Sequence, residues 1–335
     1  MSPDLPYPEP TAEAKLRLAH RVGRLHLWQR QGIQRDHVAQ VFGRGRNFFH
    51  IENWYSVHAL MRLTLRAAGL YDRGRRNATA IRIRSNDVVI PALPAAFDGF
   101  RLLHLSDIHL DMDRAISHEL AARVRDAEYD LCVITGDFRA RTYGGHEPVV
   151  EAMAGLRMHI DRPVYGVLGN HDFVEMVPDL EALDMRILLN ESVIIEQGGS
   201  AIHLAGVDDP HYYRADNLEK AANGIPETAV SILLAHSPEI YRHAAYAGFD
   251  LMFCGHTHGG QICLPGGLAL TYNAKCPRAL GKGAWRWNGL QGYTSAGSGT
   301  CVVPVRYNCP PEITVHRLLA GGEGRHGCSG PGASR

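Results

Sequence analysis

The sequence lacks any Cys-x-x-Cys pair, and its seven cysteines form no closely spaced framework. This absence argues against a thiolate metal site and against a small domain held together by disulfides. An odd cysteine count is typical of free thiols in a reducing compartment, so we expect a cytoplasmic protein. No apolar run approaches the ~18 residues that span a bilayer. The polar, proline-rich start of the chain also lacks the apolar stretch of a secretory leader.

The chain has no net charge, but its charges are unevenly distributed. Residues 1–77 carry 13 Lys and Arg against 6 Asp and Glu, a net +7, and the rest of the chain carries −7. A basic arm on a neutral protein indicates an anionic partner for the arm. We predict no nucleic-acid partner, and the sequence leaves the oligomeric state open.

The basic arm contains two helical patterns. Residues 13–30 and 52–70 each place apolar residues on one face, after a leader at 1–12 that we expect to be flexible. A basic connector, residues 71–76, follows. Two interpretations remain open for these helices. They pack on the rest of the protein or on each other, or they lie on an anionic membrane surface, as basic amphipathic helices do.

Beyond the arm, short apolar runs alternate with helical patterns. This alternation predicts α/β layering. The runs that indicate buried strands are 102–105, 131–134, 164–168, 202–207, 232–235 and 251–254, after an alternating strand at 81–84. The predicted helices are 113–127, 147–158, 175–184 and 239–247. We therefore divide the chain into a basic helical extension (1–77), an α/β domain (78–319) and a Gly/Ser-rich tail that we predict to be disordered (320–335).

Five short motifs follow the ends of these apolar runs. They are Asp107-x-His109, Gly136-Asp137, Gly169-Asn170-His171-Asp172, Ala235-His236 and Gly255-His256-Thr257-His258. Carboxylate, imidazole and amide-oxygen ligands suit Mn²⁺, Fe or Zn²⁺. Loops that leave neighbouring strands are where such ligands can meet. The set therefore predicts a metal site, and two metals held close together are a common device for hydrolysing phosphate esters.

The individual motifs differ in how specific they are. Asp107 and His109 are separated by one residue, so in an extended turn both side chains point the same way. The same spacing joins His256 and His258, flanked by glycines. The Asn170 motif has a structural alternative, because Asn-His-Asp is also good capping and turn chemistry. A lone histidine such as His236 is usually structural, and only the other motifs favour a ligand role.

Together, the five motifs resemble the pattern of the calcineurin-like metallophosphoesterases, in the same order over residues 101–260. The segments 255–262 and 306–313 are similar to one bacterial, membrane-peripheral branch of that superfamily. This branch includes UDP-2,3-diacylglucosamine diphosphatases. The resemblance extends to about residue 318 and implies a four-layer αββα metallophosphoesterase sandwich, here with an N-terminal helical extension.

The resemblance also implies a metal centre and a division of roles. Two divalent metal ions would share Asp137. Mn²⁺ is the expected metal, and Fe or Zn²⁺ are the alternatives. One would take Asp107, His109, Asp137 and His258, and the other would take Asp137, Asn170, His236 and His256. A hydroxide held by the two metals would attack phosphorus, while Asn170 would help neutralise the phosphoryl charge. His171 would protonate the leaving group, with Asp172 orienting it.

The function expected from this resemblance is hydrolysis of a phosphodiester or pyrophosphate. A lipid-linked substrate such as UDP-2,3-diacylglucosamine would fit the basic arm, which would hold the enzyme on the inner face of the membrane. The alternatives are a phosphomonoesterase or protein phosphatase, and a non-catalytic metal-binding scaffold. A degraded scaffold would be expected to miss a ligand or His171, and none is missing.

Overall fold

The fold is described by a computed structural model covering residues 12–42 and 55–321. Within these ranges two six-stranded sheets form. The first has the order β1-β12-β2-β3-β4-β5, and the second has β10-β11-β9-β8-β7-β6. The strands are β1 (Arg82–Ile90), β2 (Arg101–Leu105), β3 (Leu131–Ile134), β4 (Val164–Gly166), β5 (Arg186–Ile187), β6 (Glu191–Gln197), β7 (Ser200–Gly206), β8 (Ser231–Leu234), β9 (Leu251–Cys254), β10 (Gly283–Trp287), β11 (Leu290–Thr294) and β12 (Glu312–Ala320).

Helices cover the outer faces and form the N-terminal arm. They are α1 (Ala12–Val22), α2 (Arg24–Phe42), α3 (Tyr55–Ala67), α4 (Tyr71–Thr79), α5 (Arg114–Asp126), α6 (Glu147–Arg157), α7 (Val177–Glu181), α8 (Leu218–Ala222) and α9 (Tyr241–Tyr246). In the first sheet β2, β3, β4 and β5 run parallel, and in the second β7, β8 and β9 do. Parallel strands leave their carboxyl ends at one edge of each sheet.

The layering follows from the alternation of side chains along the strands. Leu102 and Val133 point into the core between the two sheets, where they meet residues such as Phe253. Their neighbours Leu103 and Cys132 point to the opposite face and join a second core beneath the helices. Burial on both faces explains why β2, β3, β8 and β9 read as continuous apolar runs.

A third core lies on the far side of the second sheet, where α9 packs Ala244 onto Leu233 and Met252. The order of layers is therefore helix, sheet, sheet, helix. This confirms the predicted four-layer αββα fold.

Element boundaries differ from prediction mainly in the arm. The helix predicted at 13–30 is broken at Gly23, whose φ of 91° interrupts the helix between α1 and α2. The predicted connector 71–76 is instead part of α4. There the missing side chain of Gly74 allows close packing against Val305, which sequence spacing does not reveal.

The ends of the chain and one internal stretch are only partly covered. The expected leader, 1–12, lies outside the described residues except for Ala12. Most of the expected tail, 320–335, also lies outside them, because the described residues end at 321. The start of the helix predicted at 52–70 is also outside them. Across the parts of the chain that are described, no helix is long and apolar enough to cross a membrane.

Candidate metal centre

The five motifs meet where the parallel strands end. Asp107 and His109 follow β2, Asp137 follows β3, and Asn170 lies beyond β4, all in the first sheet. The remaining three residues, His236, His256 and His258, follow β8 and β9 in the second sheet. The two edges face each other, so all seven expected ligands come together in one buried cluster.

The backbone at this cluster is unusual. Five of the seven residues have a left-handed backbone, with φ between 41° and 70°: Asp107, His109, Asp137, His256 and His258. Such φ values strain the backbone of a non-glycine residue, and strain of this kind concentrates at functional sites. The loops therefore hold these side chains in positions that an ordinary turn would not give.

Two glycines allow the loops to approach each other. Gly136 has a φ of 87°, and a Cβ there would lie 2.6 Å from the backbone nitrogen of Gly169. A Cβ on Gly169 would in turn overlap the carboxylate of Asp137. Only glycine fits at either position, which explains why the two motifs pair a glycine with a polar residue.

One group of donor atoms surrounds Nε2 of His236. Oδ1 of Asn170 is 3.0 Å from it, Nδ1 of His256 is 3.2 Å from it, and Oδ2 of Asp137 is 3.3 Å from it. Ligand bonds of about 2.1 Å at tetrahedral to octahedral angles place neighbouring donors roughly 3.0–3.4 Å apart. These four side chains fit the spacing of a first metal site.

A second group lies on the other side of Asp137. Nε2 of His258 is 3.1 Å from Nε2 of His109 and 3.3 Å from Oδ1 of Asp107. Nε2 of His109 is 3.8 Å from Oδ2 of Asp137. Asp137 thus stands between the two groups, and its carboxylate is the side chain placed to be shared.

The charges of the cluster also favour bound cations. Burial lowers the pKa of His109 to about 4 and that of His256 and His258 well below the usual range, so these rings are neutral, as metal ligands must be. Burial would also lower the pKa of His236, but the Asp137 carboxylate raises it to about 10. The buried carboxylates thus attract a positive charge, and the Asp and His clusters fit a metal site.

Backbone carbonyls fix the orientation of three of the rings. Nδ1 of His109 donates to the Arg139 carbonyl at 2.8 Å, and Nδ1 of His236 donates to the Thr135 carbonyl at 2.8 Å. His256 is turned the other way, with Nε2 donating to the Asn273 carbonyl at 2.5 Å. For His109 and His256 the nitrogen facing the cluster keeps its lone pair, the arrangement that prepares a histidine for metal binding. His236 is protonated at neutral pH in the metal-free protein, so Nε2 releases its proton when a metal binds.

His171 and Asp172 do not work as the pair expected from the sequence. Nδ1 of His171 donates to the Ala140 carbonyl at 2.7 Å, and it is this contact that orients the ring. Asp172 instead accepts the backbone N–H groups of Asp137 and Gly169, each at 2.8 Å, and also that of Phe138. The expectation that Asp172 orients His171 is therefore wrong, because its carboxylate is used to hold the Asp137 turn.

The cluster is open to solvent through a cleft of about 300 Å³. Asp137, His171, His256 and His258 are among the residues that line it. Its walls include residues that sequence reasoning did not assign to the site: Met61 from α3, Gln261, Ile262, Asn273, Cys301, Val302 and Val303. Cys301 places Sγ 3.9 Å from Nε2 of His171. Most of these wall residues are apolar and carry no motif that could have marked them.

Arg30 of α2 is a second feature that the sequence did not reveal. Its side chain is fully buried, donates Nη2 to the Asp172 carbonyl at 3.0 Å and pairs Nε with Asp208 at 3.3 Å. Its guanidinium carbon lies 3.1 Å from the ring centre of Tyr213. Gln34, one turn later, accepts the backbone N–H of Val174 at 2.8 Å. The packing interpretation therefore holds for α2, which supports the loop carrying Asn170 and His171. It also holds for α1, which packs Leu18 and Val22 into the core beneath the helices.

The comparisons with known proteins agree with this geometry. The family model for calcineurin-like phosphoesterases matches residues 100–260. The uncharacterized metallophosphoesterase YkoQ of Bacillus subtilis is 30% identical over 260 residues, which is 73% of this chain and 93% of that protein. The chain therefore belongs to the calcineurin-like metallophosphoesterases. It is a hydrolase that acts on phosphoric esters.

Two further relatives extend the comparison. The uncharacterized protein YpbG of Bacillus subtilis is 31% identical over 222 residues, covering 65% of this chain and 80% of that protein. A zebrafish (Danio rerio) protein named as a transmembrane protein with a metallophosphoesterase domain is 28% identical over 249 residues. That match covers 68% of this chain and 55% of the zebrafish protein.

Proposed function

We propose that this enzyme uses two divalent metals, Mn²⁺ first among them, to hydrolyse a phosphodiester or pyrophosphate bond in a lipid-linked substrate. A molecule of the type of UDP-2,3-diacylglucosamine has the required parts, a pyrophosphate between a polar nucleotide and acyl chains. One observation carries the proposal. The cleft is lined both by the Asp137 carboxylate with histidines of the donor cluster and by apolar side chains, so it can hold the two ends of such a molecule at once.

The proposed roles of the chain's own residues follow from their positions. When bound, the two metals would supply an activated nucleophile and charge compensation for the phosphoryl oxygens. Asn170, with Oδ1 3.0 Å from Nε2 of His236, would hold one of the metals and help to neutralise the charge of the phosphoryl group. His171 has Nδ1 engaged by the Ala140 carbonyl, so the proton it transfers is carried on Nε2. That nitrogen is 3.9 Å from Oδ2 of Asp137, within the cleft.

Exposed apolar side chains are close in sequence to residues that line the cleft. On α3, which carries the lining residue Met61, Leu60 and Leu63 are 62% and 65% exposed. Between the lining residues 262 and 271, three more leucines are exposed: Leu264, Leu268 and Leu270. We call these six side chains the apolar rim. Exposed apolar patches rimmed by polar residues are typical of interaction sites, and acyl chains suit this one.

The charge of α3 supports the same substrate class. Arg62 and Arg66 are exposed on the helix that carries Leu60 and Leu63. Basic residues near a membrane surface contribute about 1 kcal/mol each to binding anionic lipid. We therefore propose that α3 and the apolar rim bring a cytoplasmic enzyme onto the inner face of the membrane.

The test is a hydrolysis screen of the purified full-length protein with Mn²⁺. It compares a UDP-linked lipid, a glycerophosphodiester, bis-p-nitrophenyl phosphate and p-nitrophenyl phosphate. We expect the highest kcat/KM on the UDP-linked lipid and weaker hydrolysis of the soluble diester. Leu63→Ser should raise KM for the lipid and leave the soluble diester unaffected.

The screen also separates the alternatives. A preference for p-nitrophenyl phosphate would favour a phosphomonoesterase or protein phosphatase. An unchanged KM for lipid in Leu63→Ser would contradict the role of the apolar rim. Exposed Ile194, on β6 of the second sheet and absent from the cleft lining, offers a matched control as Ile194→Ser.

A further inference from the structure

A chain of buried hydrogen bonds leads to Asp107 from the interior of the protein. Oγ of Ser106 donates to Oδ2 of Asp107 at 2.6 Å, and Oγ1 of Thr135 donates to Oγ of Ser106 at 2.8 Å. Nε2 of His104 is 2.8 Å from Oγ1 of Thr135. All four side chains are fully buried. Oδ2 of Asp107 thus accepts the end of this chain, while Oδ1 lies 3.3 Å from Nε2 of His258.

The chain continues through a second histidine to the edge of the first sheet. Nε2 of His316, on β12, is 3.3 Å from Nδ1 of His104, on β2. Nδ1 of His316 is 3.0 Å from Nδ2 of Asn86, on β1. The register explains the contact, because β12 pairs with both β1 and β2 and brings His316 directly opposite Asn86 and beside His104. Three adjacent strands therefore contribute to one line of hydrogen bonds.

The direction of every bond in this line is fixed by its ends. The carboxylate of Asp107 can only accept, so Ser106 must donate to it and accept from Thr135. Thr135 then accepts from Nε2–H of His104, whose Nδ1 must accept from His316. The amide N–H of Asn86 meets the remaining nitrogen of His316, which is the acceptor that this pattern requires. Every donor points towards Asp107.

The surroundings keep both rings neutral, as this pattern needs. Burial lowers the pKa of His104 to about 3 and that of His316 well below the usual range. Phe253 of the opposite sheet stacks on His316 with ring centres 4.1 Å apart. Both histidine rings are therefore shielded from water on the side that faces the second sheet. In a low-dielectric interior, aligned hydrogen bonds polarise one another and strengthen along the line.

We propose that Asn86, His316, His104, Thr135 and Ser106 form a relay of positioning residues that holds the Asp107 carboxylate as a metal ligand. The relay rests on the metal centre of the proposed function and adds residues to it from the core between the sheets. Outer partners of this kind fix the orientation of a ligand, and their loss typically costs 10–100-fold in metal affinity. Asp107 belongs to only one of the two donor groups, so the loss should fall on one metal.

The experiment titrates the metal-free protein with Co²⁺ and follows the absorption of each bound ion. Thr135→Val removes the hydroxyl and keeps the shape of the side chain, whereas Thr135→Ser keeps the hydroxyl. We expect Thr135→Val to weaken one of two Co²⁺ sites by about 10–100-fold and Thr135→Ser to bind both much as the wild type does. His104→Gln, which keeps an N–H donor at the Nε2 position, should bind more tightly than His104→Leu.

The outcomes separate this proposal from the one on which it rests. If the wild type binds two Co²⁺ ions and Thr135→Val binds both as tightly, the relay is overturned and the metal centre stands. Equal losses in Thr135→Ser and Thr135→Val would also overturn it, because packing and not the hydroxyl would then matter. A wild type that binds no divalent metal would refute the proposed function itself. Thermal unfolding of each metal-free variant identifies any loss of binding that is due to misfolding. In that case the difference in Co²⁺ affinity between His104→Gln and His104→Leu tests the relay independently.

Discussion

His171→Ala should slow hydrolysis of substrates with poor leaving groups by roughly 10²–10⁴-fold while both metals stay bound. The ring lies in the cleft beside the donor cluster, and the cluster does not need it as a ligand in the proposed scheme. The backbone N–H of His171, which donates to Oδ1 of Asp137 at 2.9 Å, is kept in alanine. Steady-state kinetics and metal analysis of the same preparation measure the two effects.

A comparison of leaving groups tests the assigned role. Nitrophenolate needs little protonation, so bis-p-nitrophenyl phosphate should be affected much less than an alkyl diester. Equal losses on both substrates would argue against proton donation by His171. His159→Ala, at an exposed histidine on the surface, provides a control that should leave both rates unchanged.

Arg30→Ala should destabilise the protein by about 3–5 kcal/mol, the usual result of removing one partner of a buried ion pair. Burial would raise the pKa of Asp208, but Arg30 and His26 hold it below the usual range, so the carboxylate is charged in the folded protein. Without Arg30 that charge loses its main buried partner. The midpoint of urea unfolding measures the change.

The effect of Arg30 can be separated from a general effect of the arm. Arg35→Ala removes an exposed arginine from the same helix and should change the free energy of unfolding by less than about 0.5 kcal/mol. Equal stability of the two variants would contradict the anchoring of α2. The pKa of Asp208 is lower in the folded protein than in the unfolded chain, so its carboxylate stabilises the fold at pH values above the unfolded pKa. This contribution should be lost as the pH falls through the folded pKa of Asp208.

The anchoring of α2 changes what is expected of a truncated protein. Removing residues 1–76 would expose Asp208 and leave the Asp172 carbonyl and the Val174 N–H without Arg30 and Gln34. A clean separation of membrane binding from catalysis therefore calls for substitutions in α3, not for deletion of the arm.

Much of the fold could be predicted from the sequence because its core strands are buried on both faces. Leu131–Ile134 and Leu251–Cys254 were predicted to the residue, since each is a short apolar run that ends at a motif. The short edge strand β5 and the exposed β6 were not predicted, because edge and half-exposed strands carry no such run. Helix α4 was missed because its polar, glycine-containing sequence is stabilised by packing, which a sequence pattern does not show.

The functional site was also only partly predictable from the sequence. Its ligand candidates follow strand ends in short motifs, and these can be read locally. The residues that support the site come from distant parts of the chain: Arg30 from the arm, its partner Asp208 from a loop and His316 from the last strand. Only the pairing of strands and the packing of α2 bring them together. The role expected for Asp172 failed for a related reason, since sequence neighbours need not share a hydrogen bond.

The central claim is that two metals share the Asp137 carboxylate. Metal analysis of the protein reconstituted with Mn²⁺ tests it most directly, with Asp137→Asn and Asp107→Asn measured alongside. We expect two Mn²⁺ per wild-type chain, weakened binding of one ion in Asp107→Asn and weakened binding of both in Asp137→Asn. A fully active wild type with one metal per chain, or equal metal content in the two variants, would contradict the account.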